Sequence, residues 1–310
     1  MRSHGEAAPV NDSGVQPHHI QSVHIEPYCS SVQNSIANIT GIIISGTNCM
    51  LSPPRQLGRK GEIQMNENSQ KVALVTGASR GIGSAIAERL ARDGFTVIVN
   101  YSENAAPAEA LVRKIEEAGG RALAAKADIS EAGSVRQMFD TAETTFGGID
   151  VLVNNAGIMT LAPIADTDDA SFDRHIAVNL KGTFNTLREA AKRLRSGGRI
   201  INFSTSVVGL LMPSYGVYVA TKAAVEALTS VLAKELRGRN ITVNAVAPGP
   251  TATDLFLKGK PQEVVDRMAK MPPLERLGQP SDVANVVAFL AGPDAAWVNG
   301  QVLRANGGII

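Results

Sequence analysis

From Lys71 onward the chain is punctuated by short apolar runs: "KVALVTG", "FTVIVNY", "RALAAKAD", "IDVLVNNAG", "RIINFSTS", "ITVNAVAPG" and "GQVLRANGG". Several are rich in valine and isoleucine, and each is expected to form a strand buried on both faces, as parallel sheets require. Between most of them lie helical stretches such as "IGSAIAERLARDG" and "AEALVRKIEEAGG", both ended by glycine, which helix C-termini favour. Strands alternating with helices predict an open parallel sheet covered on both sides. Seven strands and their helices then occupy residues 70–310 as a single α/β domain. The stretch "TDLFLKGKPQEVVDRMAKMPPLERLGQP" (253–280) interrupts the alternation and is long enough to arch over a site as a lid.

Residues 1–69 differ in texture: polar, histidine-spotted, and without a sustained helix or strand period. They are expected to be a disordered extension, or an artefact of where translation was assumed to start. Met65 opens "MNENSQKVALVTG" and would make a natural start. A docking or targeting segment is the alternative. Both cysteines, Cys29 and Cys49, lie in this extension, with His4, His18, His19 and His24. Disulfides therefore cannot hold residues 70–310 together, a structural Cys/His zinc site is excluded there, and no metal is expected.

The apolar run within "ANITGIIISGTNCML" is too short to span a bilayer, and the first 20 residues lack a secretory pattern. A soluble cytosolic protein without a membrane partner is expected. The formal charge of +1 and pI near 7.8 give no broad field to draw in nucleic acid.

"VTGASRGIG" (75–83) joins the first strand to the first helix. Gly77, Gly81 and Gly83 remove side chains where a backbone must turn tightly and approach a pyrophosphate, with Ser79 and Arg80 between them. The helix beginning near Ile82 aims its free N–H groups and positive dipole end at that anion. A dinucleotide site is expected from this placement between strand and helix. About 20 residues further on, an NAD site usually offers an acid to the ribose 2′-hydroxyl. Here the chain reads Val99-Asn100-Tyr101-Ser102, with no acid before Glu103. Asn100, Tyr101 and Ser102 can donate hydrogen bonds to a 2′-phosphate and Arg80 supplies a cation, so NADP(H) is the expected cofactor.

"YVATK" (218–222) places a phenol and an ammonium four residues apart on one helical face. With "TGASRGIG", "NNAG" (154–157), "STSVVG" ahead of the tyrosine and "APGP" (247–250), the chain resembles a short-chain dehydrogenase/reductase over nearly all of residues 70–310. The likeness is to its NADPH-dependent carbonyl and ketoacyl reductases. It implies a doubly wound Rossmann fold.

It also implies roles for residues. Tyr218 becomes the acid/base, Lys222 its neighbouring cation, Ser206 the carbonyl anchor and Asn179 the holder of a relay water. Ser206 is chosen because it directly precedes "VVG", 12 residues before Tyr218; Ser204 is the fallback, and Thr205 stands between them. Asp128 and Ile129 are implied to flank the adenine. Asn155 would meet the adenosine ribose, Asn154 brace the strand, and Ala156 and Gly157 continue the cofactor wall. Pro248, Gly249, Thr251 and Thr253 would hold the nicotinamide end.

A unit charge about 5 Å from the phenolate at a dielectric near 20 contributes roughly 3 kcal/mol. That is about two pKa units downward for the tyrosine.

The expected substrate is a medium-sized apolar or aromatic carbonyl compound. Leu255, Phe256, Met268 and Met271 would line its pocket with Met159, Leu210, Leu211 and Met212, and Tyr215 would form pocket wall. A sugar, or an acyl chain on a phosphorylated carrier met by Lys258 and Lys260, remains open. So do an alcohol dehydrogenase working in the oxidising direction and a non-catalytic NADPH sensor. The resemblance further implies a homo-oligomer, dimer or tetramer, paired through the helices of "TFNTLREAAKRL" and "YVATKAAVEALTSVLAKEL".

Overall fold

The structure is a computed structural model and describes residues 70–310; the expectations for residues 1–69 lie outside the described residues. The seven apolar runs form β1 (Val72–Val75), β2 (Thr96–Tyr101), β3 (Arg121–Lys126), β4 (Val151–Asn154), β5 (Arg199–Phe203), β6 (Thr242–Pro248) and β7 (Val302–Ala305). All pair in parallel, in the order β3-β2-β1-β4-β5-β6-β7. The sheet grows one way from β1 to β3 and the other way from β4 to β7. The crossovers diverge between β1 and β4 and leave a crevice above the carboxyl ends of those strands.

Helices α1 (Gly81–Arg92), α2 (Ala105–Glu117), α3 (Ala132–Phe146), α4 (Asp169–His175), α5 (Thr183–Arg193), the short α6 (Val207–Leu210) and α7 (Gly216–Glu235) fill the connections as far as β6. After β6 come α8 (Asp254–Leu257) and α9 (Gln262–Lys270), and α10 (Pro280–Ala291) leads to β7. α1 and α2 are followed by Gly94 and Gly119 at φ +92° and +83°. Glycine enters this left-handed region without steric cost, so both helices end where expected.

Successive strand residues point to opposite faces, so each central strand feeds two cores. Ala73 and Val75 of β1 pack with Ile86 and Leu90 of α1 and Val287 of α10. Val72 and Leu74 pack with Phe139 of α3, Leu187 of α5 and Leu232 of α7. β1 and β4 are wholly buried, as expected of a two-faced strand. β3 and β7 are not, and this corrects the expectation for all seven: each is an edge with a neighbour on one side, and its residues stay partly exposed.

A fully paired polar ladder crosses the centre. Asn154 Nδ2 donates to Asn202 Oδ1 at 2.9 Å, Asn202 Nδ2 to Thr229 at 2.8 Å, and Thr186 to Asn154 Oδ1 at 2.7 Å. It fixes β4 and β5 against α5 and α7, which makes Asn154 a brace. Between α4 and α5 the helix widens into a π-helical turn, Ile176–Gly182, which apolar periodicity alone does not announce.

By length and composition α7 would suit a bilayer. In the fold it packs against β5 and β6 with Val225 and Leu232 buried, and it carries Tyr218 and Lys222 to the crevice.

Candidate active site

A cleft of about 500 Å³ crosses the carboxyl ends of the strands. Its cofactor-facing floor begins at the loop after β1. Gly77 has φ +60°, and a Cβ there would lie 2.9 Å from the Ala156 Cα. A Cβ on Gly83 would fall 2.5 Å from both the Gly77 carbonyl and Asn155 Nδ2. Asn155 Nδ2 donates to the Thr76 and Gly77 carbonyls at 2.9 and 3.0 Å, which ties the loops after β1 and β4 together. Arg80 stands at the N-cap of α1 without a side-chain cap bond, so the first amides of that helix are left for a ligand. Ser79, Arg80, Gly81 and Ile82 all line the cleft. Thr253 reaches across to this loop: a Cβ on Gly81 would meet its methyl at 3.5 Å.

At the adenosine end, Tyr101 and Ser102 line the cleft and Arg80 is exposed beside them. Asn100 also borders the cleft, but its amide is already used. Its Oδ1 accepts from Gly77 N–H at 3.1 Å, and its Nδ2 donates to the Ala125 and Ala127 carbonyls at 3.2 and 3.1 Å. Asn100 therefore shapes the loop rather than offering a free donor to a phosphate. No carboxylate of β2 enters the cleft; among the described residues the acids lining it are Asp128 and Asp254. Asp128 accepts from the Ser130 N–H at 2.9 Å and from its hydroxyl at 2.7 Å, with Arg174 Nη1 at 3.9 Å from its second oxygen. Ile129, Ala156 and Gly157 complete that wall. A dinucleotide carrying a 2′-phosphate fits this set, because close backbone approach, a cation and the absence of a β2 acid coincide.

At the other end Tyr218 sits in the first turn of α7, half-buried, with one side open to the cleft. Tyr215 meets it edge-on, with ring centres 6.5 Å apart. Lys222 Nζ is 5.9 Å from the Tyr218 ring centre and donates to the Phe203 carbonyl at 2.9 Å. Burial pushes the Tyr218 hydroxyl up to about 12; a hydrogen bond with Thr205 opposes this and Tyr215 adds to it. Burial also pushes Lys222 down to about 8. The expectation that the lysine lowers the phenol is thus reversed in the chain by itself. Withdrawal from water is the largest influence on both groups, and the ammonium is occupied by a carbonyl.

The three neighbouring hydroxyls separate cleanly. Ser204 donates to Glu226. Ser206 donates to the Ala247 carbonyl at 3.2 Å and accepts from Asn306 Nδ2 at 3.0 Å. Thr205 Oγ1 accepts from the Val207 N–H at 3.3 Å. All three border the cleft, so Ser206 stands where the carbonyl anchor was expected.

Asn179 is wholly buried and does not line the cleft; its amide is spent on both backbone groups of Ile158.

Met159, Leu210, Met212, Leu255, Phe256 and Met268 line the substrate side. Leu211 and Met271 do not, contrary to expectation: Leu211, at φ +50°, is 71 % exposed, and Met271 is 39 % exposed. Lys258 and Lys260 also stay outside the lining; Lys260 turns back to the Phe256 carbonyl. Pro248, Gly249 and Thr251 border the cleft where β6 ends, and a Cβ on Gly249 would lie 2.9 Å from the Asn306 Cα. Arg174 and Ile309 line it too, although no motif points to either.

The family described as Enoyl-(Acyl carrier protein) reductase matches residues 77–310. A "Short-chain type dehydrogenase/reductase" of Picea abies is 50 % identical over 248 residues, which cover 77 % of this chain and 92 % of the relative. An Arabidopsis thaliana protein named "NADPH-dependent aldehyde reductase-like protein, chloroplastic" is 45 % identical over 254 residues, with coverage of 77 % and 94 %. Among solved structures, the angucycline C-6 ketoreductase LanV with bound NADP superposes with a TM-score of 0.74 at 38 % identity, covering 77 % of this chain and 95 % of its own. A glycine-lined nucleotide crevice, a tyrosine one helical turn from a lysine, and this breadth of likeness have one common meaning: the chain belongs to the short-chain dehydrogenase/reductase family.

Proposed function

We propose that this protein is an NADP(H)-dependent reductase that converts a ketone or aldehyde to an alcohol. The observation carrying the proposal is the placement of Tyr218, Lys222 and Ser206 around the end of the nucleotide crevice. NADPH, when bound, supplies the hydride. The chain's own groups manage the carbonyl oxygen. Tyr218, raised to about 12, is fully protonated near neutrality and ready to donate. Ser206, which borders the cleft with Thr205 beside it, anchors that oxygen. Lys222, still charged below about 8, stabilises the phenolate left after the proton moves. The resting acid thus already carries the proton that reduction consumes.

The substrate side supports an uncharged apolar or aromatic carbonyl compound. Thioether and alkyl groups dominate there, and the two lysines suited to a phosphorylated carrier lie elsewhere. Methionine adapts to varied flat or branched shapes. The names of the Arabidopsis relative and of LanV, which speak of aldehyde and ketone reduction, agree with this reading.

The test is NADPH oxidation against a panel of ketones, aldehydes and quinones. Tyr218→Phe should lower kcat by about 10²–10⁴-fold. Ser206→Ala should fall by at least about tenfold, with Ser206→Thr restoring part of it and Thr205→Val milder than Ser206→Ala. Turnover that survives Tyr218→Phe would overturn the mechanism, and cofactor binding without turnover of any carbonyl would favour a sensor.

A further inference from the structure

His175 is the last residue of α4 and is only 1 % exposed. Its Nδ1 lies 2.8 Å from the Ser171 carbonyl oxygen, which can only accept, so Nδ1 carries the proton. That leaves Nε2 as an acceptor, and the Thr160 N–H donates to it at 3.1 Å. Four residues later, within the π-helical turn, Asn179 is also fully buried. Its Oδ1 accepts from the Ile158 N–H at 2.8 Å and its Nδ2 donates to the Ile158 carbonyl at 2.9 Å. Two buried side chains thus hold the backbone on both sides of Met159, and neither lines the cleft.

The loop they hold passes beside the reacting groups. A Cβ on Gly157 would lie 3.5 Å from Lys222 Nζ and 3.3 Å from Asn179 Oδ1. Ile158 and Met159 border the cleft. Met159 has a flexible side chain, so a pocket wall built on it keeps its position only if its backbone is fixed. π-helical insertions cluster at functional sites, and residues 175 and 179, four apart, reach one loop across the start of this one.

We propose that His175 is a positioning residue: with Asn179 it clamps Ile158–Thr160 so that Met159 forms a fixed, specificity-determining wall for the carbonyl substrate. This deepens the reductase reading and rests on it for the word substrate, but the clamp itself can be observed without turnover. The imidazole works as a neutral donor and acceptor, not as an acid or base.

The test compares His175→Phe, which keeps bulk but removes both polar partners, with His175→Gln, whose amide can donate to Ser171 and accept from Thr160. Two measurements are made: amide hydrogen exchange of the peptide 155–165 in the NADPH-bound protein, and steady-state kinetics with a carbonyl from the panel. In the Phe variant, exchange should accelerate and KM for the carbonyl should rise about tenfold, with kcat within about threefold and NADPH affinity within about twofold. In the Gln variant both should return to within about threefold of the parent. Unchanged exchange and KM in the Phe variant, or a Gln variant no better than Phe, overturns the proposal. Should the Phe variant not fold, Thr160→Pro removes the same bond from the exposed side; it carries the same expected outcome and the same refutation. A parent protein inactive on every carbonyl sinks the reductase reading, and the exchange pattern then decides the clamp.

Discussion

Tyr218 and Lys222 are driven in opposite directions by one cause, removal from water, and each ends in the protonation state that reduction needs near neutrality. Lys222 is charged below about 8 and loses its proton as pH rises through that value. The kcat/KM for carbonyl reduction should therefore hold steady below about 8 and decline above it, read from a pH–rate profile. Lys222→Arg, which stays charged, should be slower but lack that decline. The same burial has a cost in the chain by itself. Lys222 titrates lower in the fold than its ordinary 10.5, so between about 8 and 10.5 the unfolded chain binds more protons. Stability from this group rises with pH across that window, and below it the full penalty remains. Lys222→Met should accordingly raise the unfolding free energy at pH 7 by about 1–3 kcal/mol while abolishing turnover, as checked by denaturant titration. At this scale the sequence makes the pair visible but not its balance, because Coulomb attraction can be guessed from spacing and desolvation cannot. Asn100 and Ser206 show the same: whether an amide or hydroxyl is free depends on partners far along the chain, such as the Ala127 carbonyl for Asn100 and Asn306 for Ser206.

The elements were more legible than their details. All seven strands follow from apolar runs and glycine-rich ends, since a buried parallel strand is apolar along most of its length. The edges β3 and β7 depart from this because strand order, a tertiary property, decides which strands keep an open side. The π-helical turn is invisible for a similar reason: one extra residue per turn leaves no mark in a short apolar pattern. Among the loops, the one from β1 to α1 is the most constrained. Gly83 has two polar atoms 2.5 Å from where a Cβ would sit, one of them backbone. Gly83→Ala should move the start of α1 and weaken NADPH binding at least about tenfold, measured by fluorescence titration, while substitution at Gly94, with nothing within 4 Å, should leave it unchanged.

For the whole molecule, we infer a homo-oligomer paired through α5 and α7. Phe184 on α5 and Val231 on α7 are 45 % and 51 % exposed, and α7 is apolar well beyond the side it turns to the sheet. Phe184→Glu combined with Val231→Glu should shift the protein to a monomer in sedimentation velocity, while the protein carrying neither change should sediment as a dimer or larger. Since Tyr218 and Lys222 open the same α7, loosening that face is expected to lower activity as well as mass.

The divergence of crossovers between β1 and β4 has a further consequence. Groups that grip the adenosine and pyrophosphate hang mainly from one flank of the fold, and groups that choose what is reduced hang mainly from the other, with Thr253 reaching between them. Natural variation can therefore redraw the second flank without disturbing the first, so a scaffold of this kind can acquire new chemical tastes while keeping its source of reducing power.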